Sequence, residues 1–144
     1  MLSDTDAYHE LCAYTLAHGS PIFIHQLVVD AFTAQHAESF KPIGVVFSLL
    51  GLYLHVEHGF TGKQVQRAHM QLARVRRTWQ PIALPAERGA ITVHEVLATP
   101  PGPARDAGIE RWCASVWQAC LCSRPFVAAV AERELGVASA PMAR

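Results

Sequence analysis

FIHQLVVDAFTAQH, residues 23–36, decides the fold. Its apolar residues fall on almost every side of a helix, and a helix that is apolar nearly all round is central rather than peripheral. The same stretch carries His25, Gln26, Asp30, Gln35 and His36, groups that burial penalises unless they find partners inside the fold. At about 100° per residue, His25 and His36 face one direction to within roughly 20°. Gln26, Asp30 and Thr33 form a second stripe about a quarter turn away.

Around this segment the punctuation is helical. Ser3 and Asp4 can cap a first helix, 4–18, that stops at Gly19. Ser20-Pro21 opens the second, 21–37, and Lys41-Pro42 opens a third, 42–58, closed by Gly59. Thr61 begins a fourth, 61–78. Short connections make these four antiparallel neighbours. Residues 80–103 then hold five prolines and two glycines, with a short helix at 92–98. A sixth helix, 104–122, puts Ile109, Trp112, Cys113, Val116, Trp117 and Cys120 on one face, and Pro125 opens a last one that ends near Gly136. No segment alternates with period two. The expected fold is all-α: a single-domain helical bundle over 1–137 with a four-helix core at 4–78, added C-terminal helices, and a flexible tail at 138–144.

Composition narrows the function classes. Hydrophobic residues make up 51% of the chain and charged residues 17%. The longest apolar run, Val45 to Leu54, is broken by Ser48 and Gly51 and falls short of the about 20 residues that span a bilayer. No basic stretch precedes an apolar core at the N-terminus, so a soluble cytoplasmic protein is the default. Twelve basic and twelve acidic residues cancel, which argues against global steering to nucleic acid or to an anionic membrane. Lys63, Arg67, Arg74, Arg76 and Arg77 make a local basic run without a nucleic-acid motif, as the outer face of a solvated helix would. Four cysteines give no disulfide pattern: Cys113 and Cys120 lie about 10 Å apart along one helix, beyond bridging distance.

Eight histidines among so few charges are the compositional signal. His9 or Glu10 on the first helix, His25 on the second, Glu57 on the third and His69 on the fourth can each be turned toward shared interior space. Imidazole and carboxylate are suitable ligands for zinc, iron or manganese, and bundle cores build such sites from facing helices. His25, His69, His9 and Glu57 are the expected ligands of a divalent metal, with Gln26 and Asp30 orienting them through hydrogen bonds. Glu10 and His36 are the expected proton-transfer residues. No HExxH and no paired ExxH set accompanies them. A histidine three residues before Cys12 is also present, but the apolar packing of that helix favours an inert thiol.

YHEL at 8–11, FIHQLVVDAFTAQH at 23–36, GLYLHVEHGFTG at 51–62 and QRAHMQLA at 66–73 resemble the DUF5946 family of uncharacterised bacterial proteins. The resemblance covers residues 7–98 and continues more weakly through the tryptophan-bearing helix. It brings no reaction with it, but it sorts the histidines: His9, His25, His36 and His69 lie in the shared motifs, as do Glu10, Gln26, Asp30 and Glu57. A looser likeness is to DinB-like bundles, which set three histidines around a metal.

Two functional readings follow. One is a metal-dependent hydrolase or thiol transferase with an open coordination position. The other is a non-enzymatic module that binds a small-molecule ligand or a protein, or forms a homodimer, with its buried His, Asp and Glu groups joined in a structural hydrogen-bond network.

Overall fold

A computed structural model describes residues 2–75 and 77–139. The described residues form seven α-helices: α1 (Asp4–Ala17), α2 (His25–Gln35), α3 (Pro42–His58), α4 (Gly62–Leu72), α5 (Val93–Ala98), α6 (Pro103–Ala119) and α7 (Arg124–Leu135). Short 3-10 turns at Ala37–Ser39 and Leu121–Ser123 follow α2 and α6. No strand occurs among the described residues, so the chain is all-α.

Local chemistry sets the helix ends. Ser3 Oγ accepts from the Asp6 amide, and Thr61 and Gln64 form a reciprocal capping box at the start of α4. Pro42 and Pro103 open α3 and α6, where a missing amide proton costs nothing, and Gly59 ends α3 at φ 69°.

The centre is the α2–α3 pair, flanked by α1, α4, α6 and α7. One apolar cluster draws on every helix: Leu11, Leu27, Leu50, Leu72, Val96, Trp112 and Val130 are all buried within it. α3 is covered on all sides from Leu49 to Leu54, which makes it as central as α2. α6 packs on both α2 and α3, so the centre is shared by more than the first four helices.

Two boundaries differ from the sequence expectation. α2 starts at His25 because residues 20–24 make a turn in which Phe23 takes φ 54°, a left-handed conformation that is uncommon outside glycine. That turn docks on α4: the Lys63 amide donates to Ile22 O at 2.9 Å, and the Phe23 carbonyl fills the space where a side chain on Gly62 would stand. α4 ends at Leu72, and the chain leaves it through a turn held by the Ala73, Arg74 and Val75 amides. Of the basic run, Arg76 lies outside the described residues.

Candidate functional site

Gln26 and Asp30 are one turn apart on α2 and face the gap between α3 and α4. The Gln26 amide nitrogen donates to Asp30 Oδ1 at 3.1 Å and lies 3.3 Å from His69 Nδ1. His69, on α4, turns its other nitrogen toward the same carboxylate, with Nε2 3.7 Å from Asp30 Oδ2. Gly51 on α3 supplies the room. A Cβ there would stand 1.9 Å from Asp30 Oδ2 and 3.0 Å from His69 Nε2, so any side chain at 51 would collide with both.

Burial governs the electrostatics of this cluster. Asp30 is 1% exposed, and desolvation raises its pKa well above the usual carboxylate value, against the opposing hydrogen bond from Gln26. Desolvation also lowers the His69 pKa to about 4, partly offset by the Phe47 backbone, so its imidazole is neutral at pH 7. An amide nitrogen that donates to both Asp30 Oδ1 and His69 Nδ1 fixes the proton of His69 on Nε2. That N–H faces Asp30 Oδ2 across a distance too long for a hydrogen bond. Asp30 Oδ2 and His69 Nε2 are the buried side-chain polar atoms left without a hydrogen-bond partner among the described residues.

The other polar groups singled out from the sequence are differently placed. His25 Nδ1 lies 2.9 Å from Thr15 Oγ1, which itself donates to Cys12 O. The hydroxyl's only proton is thereby spent, so His25 carries its proton on Nδ1 and leaves a lone pair on Nε2. Burial lowers its pKa. Glu57 accepts from Trp117 Nε1 at 2.8 Å and from Arg124 Nε at 2.9 Å, and both oxygens are used. His9 and Glu10 are exposed on α1. His36 caps α2, stacks on Phe32 at 4.2 Å, and borders a cleft of about 210 Å³ with Asp4, Glu87 and Arg88.

The structure therefore brings Gln26, Asp30 and His69 together and leaves His9, Glu10, His25, His36 and Glu57 apart from them. Among the described residues, no three His, Cys, Asp or Glu side chains converge as a metal cage, and the three-histidine arrangement of DinB-like bundles is not formed. Closed polar networks elsewhere involve Gln35, conspicuous in the sequence, together with Arg88, Glu38, His55 and Glu110, which sequence reasoning passed over. Gln35 accepts from Trp112 Nε1 and donates to Ile91 O; Arg88 pairs with Glu38; His55 pairs with Glu110. Gly51 was also passed over, although a lone glycine inside a buried helical pattern points to close packing.

Fold and site define a small helical bundle with a Gln–Asp–His centre built around the buried Asp30. Residues 5–121 match the family described as DUF5946, a family of unknown function, and the chain belongs to it. Neither a curated protein nor a solved structure gives a significant match.

Proposed function

We propose that the chain is a binding module whose centre is the Asp30–His69 pair, and that the ligand suited to this pair is one divalent cation. The observation that carries the reading is the contrast within the fold. Glu57, Gln35, Arg88 and His55 all sit in satisfied networks, whereas two buried polar atoms, Asp30 Oδ2 and His69 Nε2, face each other at 3.7 Å without a hydrogen-bond partner among the described residues. Each unmet buried polar atom costs about 1–3 kcal/mol, which a bound ion would recover. Zinc-type ions sit about 2.0–2.2 Å from imidazole nitrogen and carboxylate oxygen, so a bent arrangement spans this gap.

Two protein donors supply half of a tetrahedral set. Both atoms are sealed from solvent, so water or a substrate would complete it only after α4 shifts, and the opened site would then supply Lewis acidity for hydrolysis or thiol transfer. Ligation through Nε2 requires the proton of His69 to move to Nδ1. Gln26 would then turn its amide oxygen to that nitrogen, giving up its bond to Asp30.

Calorimetric titration of metal-free, untagged protein with zinc tests this. One equivalent should bind, and Asp30→Asn combined with His69→Ala should remove it. Unchanged binding in that double variant, or no binding by the parent, would refute the cation reading. The closed networks favour a second reading for the latter result: the pair is then architectural and pins α2, α3 and α4 in register.

A further inference from the structure

We infer that the outer face of α4 is a docking surface for an acidic, amphipathic protein segment. From residue 58 to residue 86 the chain contains no Asp or Glu, although its total charge is zero. Positive charge is thus segregated onto one stretch. Lys63, Arg67 and Met70 follow one stripe of α4 by their spacing, and Arg74 extends it in the turn beyond the helix.

All four are exposed, Met70 by 58%. None of the three cations forms an ion pair among the described residues. Lys63 sits in the first turn of α4, where the helix dipole disfavours a cation, so helix stability does not account for it.

The surface has shape as well as charge. Arg67, Met70, Gln71 and Arg74 border a shallow groove of about 420 Å³. A second hollow of about 230 Å³ shares Arg67 and Gln71 and is walled by Phe60, Leu135 and Val137. The nearby acid Glu134 on α7 pairs with Arg133, and its backbone carbonyl accepts from Gln71.

A mainly apolar hollow beside a groove edged by Arg67 and Arg74, which form no ion pair among the described residues, fits carboxylates that alternate with an apolar anchor. Methionine is suited to such contacts because its side chain adapts to the partner's shape. No aromatic ring lies exposed on the stripe to stack a base, which disfavours single-stranded nucleic acid.

The test uses the full chain and a labelled helical peptide about four turns long, with Glu on one face and Leu beside it. Fluorescence anisotropy at low salt should show binding that salt weakens. Arg67→Glu with Arg74→Glu should weaken it at least about tenfold, since attraction becomes repulsion at two sites. Met70→Gln should weaken it by a smaller factor, and circular dichroism should show both variants folded. The inference is overturned by no binding at low salt, by equal binding to the charge-reversed variant, or by tighter binding of a thymidine oligonucleotide of equal charge.

Discussion

Replacing Gly51 by alanine probes the packing that creates the candidate site. On an ordinary helix this change stabilises by up to about 1 kcal/mol, because glycine is the weaker helix former. Here the new Cβ would meet Asp30 Oδ2 at 1.9 Å, Asp30 Cγ at 2.8 Å and His69 Nε2 at 3.0 Å. The carboxylate cannot simply swing away, since it is buried and bonded to Gln26. Relief must come from a shift of α2 against α3, and overpacking of this kind costs about 1–3 kcal/mol or more.

Gly51→Ala should therefore lower stability by about 1–3 kcal/mol, or roughly 3–10 °C in Tm for a chain of this size. In an Asp30→Ala background the two shortest contacts vanish. The same substitution should then be neutral or stabilising by up to about 1 kcal/mol. Urea denaturation of the four proteins measures the coupling directly, and about 2 kcal/mol is expected. Stabilisation by Gly51→Ala in the parent, or an equal penalty in both backgrounds, would show that Asp30 does not pack against the α3 backbone.

Other expectations follow from the satisfied networks. Glu57→Ala strips Trp117 Nε1 of its acceptor and removes the bridge from α3 to α6 and α7, so denaturation should show a loss of about 2–4 kcal/mol. For His55, burial opposes the charge, but Glu110 and the Phe60 carbonyl outweigh it and raise the pKa above 6.5. Its folded-state pKa exceeds the unfolded value, so the contribution is complete below pH 6.5 and is lost as pH rises through the folded pKa. Glu110→Gln should flatten that part of the stability–pH profile relative to the parent. His69 acts in the opposite sense: with a folded pKa of about 4 against 6.5, it costs stability as pH falls through that interval. His69→Gln should remove this acid-side loss, as read by denaturation at several pH values.

The central helix was legible because its chemistry is one-dimensional. A segment apolar on every side has nowhere to go but the middle, and the polar groups it carries must be met there. Asp30 illustrates this: its stripe and its burial both follow from spacing along α2. Its partners do not, because helical periodicity gives the direction of a side chain around its own axis but not which neighbour it meets or at what height. Glu57 shows the same limit. It was expected to face interior space shared with the first four helices, but its partners Trp117 and Arg124 come from helices far along the chain.

The start of α2 was hidden for a different reason. Ser20-Pro21 is a good helix opening, and only the docking of Phe23 against Gly62 diverts the backbone into a left-handed turn. Gly51 could have been read in advance. Its lack of a side chain inside an apolar run is a sign of close approach, but not of what approaches.

The most direct test of the Asp30–His69 centre is the nitrogen-15 spectrum of the His69 imidazole, recorded with and without zinc. Without metal, the Gln26 contact predicts the neutral form protonated on Nε2. On zinc addition the proton should appear on Nδ1 and Nε2 should shift to a metal-bound value, while His25 keeps its proton on Nδ1. A His69 that stays protonated on Nε2 throughout the titration would contradict the binding-centre account.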